Sequence, residues 1–126
     1  MPRFILEEAR IHPAIRSRIS DHHRTLIDEV QAAIAASDIV IVGMAMNPFP
    51  RKARKALDAA GIPFKYLEYG SYLGEWRRRN ALKMWTGWPT MPMVFVKGAL
   101  VGGAAELSRL LETGELQRLI AGDRPW

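Results

Sequence analysis

Ile39-Val40-Ile41-Val42 is an unbroken run of β-branched side chains with no polar residue among them. Successive side chains of a strand point to opposite faces of its sheet, so a strand with this composition needs apolar cover on both faces. The natural source of that cover is a layer of helices on each side, which makes this an α/β arrangement. The flanking segments agree. Before the run, Leu26, Ile27, Val30, Ala33 and Ile34 recur at helical spacing from Ser20-Asp21, either of which can cap, to about Ala36. After it, Asn47-Pro48 marks a helix start, and Phe49, Ala53, Ala56, Leu57 and Ala60 form an apolar stripe that ends at Gly61.

Pro63-Phe64-Lys65-Tyr66-Leu67-Glu68 is expected to be a second strand, and a third helix is expected from about Tyr72 to Trp85, ending near Gly87. Met93-Val94-Phe95-Val96 and Ala99-Leu100-Val101 flank Lys97-Gly98 as a tight hairpin. A last helical stretch runs from about Ala104 through Leu107, Leu110 and Leu111, breaks near Gly114 and resumes through Leu116, Leu119 and Ile120. Residues 1–19 carry Pro2 and Pro13 without a clear period and are expected to form an N-terminal extension that packs on the domain or stays partly mobile. Residues 20–126 would then form one domain, a four-stranded mixed sheet flanked by helices. Its parallel first half meets an antiparallel hairpin.

The chain has 126 residues, 48% of them hydrophobic, enough for one ordinary core. Its apolar runs are far shorter than the ~20 residues that cross a bilayer. The acidic start, Glu7-Glu8, is unlike a secretory signal, and a cytoplasmic address is expected. There is no cysteine, which removes disulfides, thiolate nucleophiles, zinc–thiolate sites and protein-ligated iron–sulfur clusters from the chemistry available to these residues. A formal net charge of +5 favours anionic partners without choosing among them.

Trp88-Pro89-Thr90-Met91-Pro92, then Val94-Phe95-Val96-Lys97-Gly98, then Leu100-Val101-Gly102-Gly103, resembles the WPT-x-P, strand, turn and GG signature of the monothiol glutaredoxins. Gly114-Glu115-Leu116 with Leu119-Ile120 resembles that family's C-terminal GEL…LI segment, so the likeness extends over about residues 20–121. The resemblance implies a thioredoxin fold and a cis peptide bond at Met91-Pro92. It also places the family's catalytic motif, CPYC or CGFS, at Asn47-Pro48-Phe49-Pro50, with Asn47 where the first cysteine belongs. Asparagine is a good N-cap and proline suits a first helical turn, so a well-capped helix start accounts for these residues. An amide is no nucleophile in this setting, and the catalytic site is expected to be absent.

The resemblance carries over a glutathione groove only in part. Lys83, seven residues before Thr90, matches the cation that meets the glycyl carboxylate, and Thr90, Met91, Pro92, Gly102, Gly103 and Ala104 match the backbone walls. The family's lysine at the end of the first strand falls near Gly43 or Met44, and its aspartate after GG falls at Ala105. Two charged contacts are missing, each worth ~1.5–3 kcal/mol, so glutathione is expected to bind weakly if at all, and no iron–sulfur cluster is expected.

Other features have plainer explanations. Arg77-Arg78-Arg79 and Arg51-Lys52 with Arg54-Lys55 could meet an acidic protein or nucleic acid, but residues 77–79 diverge around a helix and Arg54 can pair with Asp58. His22-His23 are adjacent and His12 lies in the extension, so no metal site is expected. Of Trp85 and Trp88, one is expected to pack and the other to stay partly exposed. The expected function is a redox-inactive, glutaredoxin-related module whose degenerate groove takes glutathione, a peptide or a partner protein. The alternatives are a glutathione-dependent oxidoreductase or transferase that uses the thiol of bound glutathione, and a basic adaptor for an acidic protein or nucleic acid.

Overall fold

A computed structural model of the protein describes residues 3–124 and Trp126; Met1 and Pro2, at the head of the expected extension, and Pro125 lie outside the described residues. The chain runs α1 (Pro13–Ser20), α2 (Arg24–Ala36), β1 (Ile39–Gly43), α3 (Pro48–Ala59), β2 (Lys65–Glu68), α4 (Trp76–Thr86), β3 (Met93–Val96), β4 (Ala99–Gly102), α5 (Ala104–Thr113) and α6 (Glu115–Ile120), after a 3-10 turn at Glu8–Arg10. The four strands form one sheet in the order β2-β1-β3-β4. β1 pairs parallel with β2 and antiparallel with β3, and β3 pairs antiparallel with β4, as the sequence led us to expect.

The run at 39–42 behaves as its composition requires. Val40 and Val42 face one core with Leu26 and Val30 of α2, Leu82 of α4 and Phe95 of β3. Ile39 and Ile41 face the other, with Leu57 of α3, Val94 of β3, Leu107 of α5 and Leu116 of α6. Both layers are closed to water at the strand, each large aliphatic side chain contributing ~1.5–3 kcal/mol on burial. Among the described residues no helix is long and apolar enough to cross a membrane.

Several boundaries differ from the sequence reading. The expected extension, read as lacking a clear period, contains most of α1, because Pro13 begins a helix: it occupies the first turn, and His12 Nδ1 accepts the Ala14 N–H at 3.0 Å. α2 starts at Arg24 after a turn in which His23 has φ 50°, so Ser20 ends α1 instead of capping α2. β2 begins at Lys65 because Pro63 has no N–H to give to a ladder. α4 begins at Trp76, since Ser71 and Gly74 close a small turn ahead of it.

In α3 the buried stripe is Pro50, Ala53 and Leu57, while Phe49 stands 52% exposed. Pro50 takes the inward position because Gly43 leaves room: a Cβ at residue 43 would lie 2.8 Å from that of Pro50. Lys97 and Gly98 both have positive φ, as a tight two-residue hairpin turn requires.

Candidate functional site at one end of the sheet

The topology gathers four segments at one end. β1 and β2 are parallel and both finish there, β3 starts there and β4 ends there, so residues 44–50, 69–76, 88–93 and 102–106 lie together. The Ala45 N–H donates to the Gly70 carbonyl at 2.7 Å, joining the loops that follow β1 and β2.

Asn47 sits in extended backbone at the N-cap of α3, and its Oδ1 accepts the Phe49 N–H at 2.9 Å. Pro48 and Pro50 have no N–H. The first three positions of the helix therefore offer no free donor, although such a terminus is ordinarily an anion site. What remains positive here is carried by side chains. Arg51 and Lys52 are exposed in the first two turns, and the Lys52 ammonium lies 5.3 Å from the centre of the Phe49 ring.

Across from this helix start stand the segments around residues 90–103. Met91-Pro92 is a cis peptide bond. Met91 is buried and Thr90 exposed, and a Cβ at Gly103 would lie 3.4 Å from the Pro92 carbonyl oxygen, so the TxP and GG segments are in contact. Gly102, at φ 122°, adopts a conformation that suits only glycine, and a Cβ there would collide with Glu106. Lys83 is half-buried on α4 and makes no ion pair among the described residues.

Four residues that the sequence reading passed over, or read otherwise, shape this end. Glu106 Oε1 accepts the Gly103 N–H at 2.8 Å. A carboxylate is thus present one residue beyond Ala105, already committed to half of a capping box, and the Gly103-x-x-Glu106 spacing was the available signal. Trp88 Nε1 is buried beside Gly103 with no hydrogen-bond partner, and both Trp85 and Trp88 are half-buried against one core, contrary to the division expected of them. Arg79 is buried, donating to the carbonyls of Tyr69 at 3.0 Å and Gly74 at 2.6 Å, and so holds the 69–75 loop in shape. Arg54 does not pair with Asp58; its guanidinium lies 4.1 Å from the centre of the Tyr66 ring.

Burial, and then hydrogen bonding to the Glu68 carboxylate at 3.0 Å, push the Tyr66 phenol up to about 12, with Arg54 opposing. Burial first, and then the Glu29 carboxylate at 2.9 Å, raise Tyr69 well above the usual range. The Tyr69 hydroxyl thereby ties the end of β2 to α2 through Glu29. Thr90 offers an exposed hydroxyl; of the histidines, His12 caps α1 and His22 and His23 lie in the turn between α1 and α2. Among the described residues no three His, Asp or Glu side chains are placed to hold a metal ion.

A family model described as Glutaredoxin matches residues 39–101. The "Glutaredoxin-like protein" of Dictyostelium discoideum is 45% identical over 102 residues, covering 81% of this chain and 83% of that protein. "Glutaredoxin 4" of Haemophilus influenzae is 32% identical over 100 residues, covering 75% of this chain and 91% of that protein. Of solved structures, oxidised glutaredoxin 2 from Chlamydomonas reinhardtii matches with a TM-score of 0.65 at 27% identity, over 80% of this chain and 97% of that one. The buckwheat glutaredoxin–glutathione complex matches with a TM-score of 0.69 at 20% identity, over 82% and 94%, a likeness of fold.

Proposed function

Because this chain belongs to the glutaredoxin family yet contains no cysteine, we propose that it works without thiol–disulfide chemistry, as a binding module whose groove takes a peptide-like ligand. One observation carries this reading. The end of the sheet that would hold the thiolate is instead bordered by exposed apolar side chains, Met46, Phe49, Tyr72, Leu73 and Trp76, on the loops and helix starts that follow β1 and β2. Exposed apolar side chains gathered in one patch mark a contact site more often than an idle surface. Arg51 and Lys52 beside it favour a ligand with a carboxylate or an acidic side chain.

Glutathione is one such ligand, held weakly. The cis bond at Met91-Pro92 supports this reading, whereas the α3 terminus has no free donor and the Glu106 carboxylate is engaged with Gly103. On this reading no iron–sulfur cluster is assembled.

The test is an amide NMR titration with reduced glutathione and with S-methylglutathione, paired with thermal shift. Stabilisation follows RT ln(1 + [L]/Kd), about 1.4 kcal/mol when ligand is about tenfold above Kd, so a millimolar site is measurable. The two ligands should bind alike, moving the Met91, Gly103 and Ala104 amides. Absence of any shift at high millimolar ligand, or shifts confined to another face, would count against the groove. A strong requirement for the free thiol would favour an enzyme that uses the ligand's own sulfur.

A further inference from the structure

Helix α1 is eight residues long and none of its side chains is buried. A helix that short is marginal in water unless something covers it. Ile15 and Ile19, one turn apart on the same face, are 43% and 51% exposed, and Met84 of α4 is 71% exposed. With Arg18 and His22 these side chains line a groove between α1 and α4. It continues past Ile27 of α2 to Trp85.

A second unpartnered feature lies just upstream. Phe4, Ile5 and Leu6 are 106%, 65% and 55% exposed, in a stretch with no regular structure that leads directly into Glu7 and Glu8. Arg3 anchors this stretch, its Nη1 donating to the Thr86 carbonyl at 3.0 Å, yet the apolar triplet remains in solvent. Neither Glu7, Glu8 nor Arg18 makes an ion pair among the described residues.

The chain therefore carries both halves of one contact: an apolar groove bordered by an unpaired cation, and an apolar triplet followed by two unpaired carboxylates. We infer that the α1/α4 groove is filled by the Phe4–Glu8 segment of a second copy of this chain, in a reciprocal two-fold exchange. The triplet lies against Ile15, Ile19 and Met84, and Glu7 and Glu8 reach Arg18 of the other copy. Reciprocity follows from each copy having one groove and one segment. A two-fold pair satisfies both at once, whereas a one-way exchange would leave open ends and polymerise. The contact does not depend on what the sheet-end groove binds.

Sedimentation equilibrium of the full chain from micromolar to millimolar concentration should show a reversible monomer–dimer equilibrium. Phe4→Lys and Ile19→Lys should each weaken it by roughly tenfold or more. Both side chains are exposed, so far-UV circular dichroism should be unchanged, which separates lost contact from lost fold. Glu7→Arg with Glu8→Arg should also weaken the dimer, and adding Arg18→Glu should restore it. In a sample mixing differently labelled copies, the Met84 methyl should show contacts to the Phe4 ring of the other copy. A monomer at every concentration, a dimer indifferent to these substitutions, or Phe4–Met84 contacts found only within one chain would each overturn the inference.

Discussion

Asn47 makes the hydrogen bond expected of an N-cap, its Oδ1 accepting the Phe49 N–H. Asn47→Ala should cost ~1 kcal/mol in chemical denaturation, the usual worth of a cap. Asn47→Cys should give a thiol with a pKa modestly below the free value of ~8.5, read from alkylation rate against pH. The substitution frees only the Phe49 N–H, since Pro48 and Pro50 still withhold theirs, so the help comes mainly from Arg51 and Lys52. Reaction with a small disulfide should recover more than turnover of glutathione, and recovery of both to the level of an ordinary glutaredoxin would show the groove intact. Tyr66 makes a separate prediction. Its folded pKa is raised above the usual 10 to about 12, so the stability it contributes is whole below pH 10 and is lost as pH rises through 12. Absorbance titration of the phenols should show Tyr66 and Tyr69 ionising late, and simple titration of all the tyrosines near 10 would contradict the Glu68 and Glu29 contacts.

At the scale of elements, what was legible in the sequence was what a single local rule decides. The Ile39–Val42 run required a doubly covered strand, Lys97-Gly98 required a tight turn, and Gly114 separated α5 from α6. What was not legible depended on which of two local rules prevails. Pro13 can break a helix or begin one, and with His12 capping it begins α1. Arg79 looks like its neighbours Arg77 and Arg78 in sequence, but only the folded loop supplies the carbonyls that bury it. Arg54 had a carboxylate at i,i+4 and stacked on an aromatic ring from the next strand instead. Near the candidate site the cis bond at Met91-Pro92 was implied by the signature, whereas the Glu106 cap and the orphaned Trp88 indole needed the packing. Arg79→Met should leave both carbonyls without their donor and cost ~1–3 kcal/mol, with amide exchange quickening in 69–75 before the rest. Leu107→Ala, in the α5 face of the core, should cost ~2–5 kcal/mol and act globally.

For the molecule as a whole, the glutaredoxin scaffold here carries a capped, donor-poor helix start beside exposed apolar side chains. The four-stranded sheet keeps the order β2-β1-β3-β4 and the Met91-Pro92 bond is cis, while the chain has no cysteine at any position. The account stands or falls on whether thiol–disulfide chemistry is gone. The most direct measurement is steady-state turnover in a glutathione-coupled mixed-disulfide assay with the purified full chain, beside a cysteine-bearing glutaredoxin as a positive control. Every disulfide exchange by this family's route starts from a protein thiolate that this chain does not have, so the rate should equal the uncatalysed background at all enzyme concentrations. A rate that rises in proportion to enzyme would contradict the account and show that this groove catalyses exchange with a bound thiol.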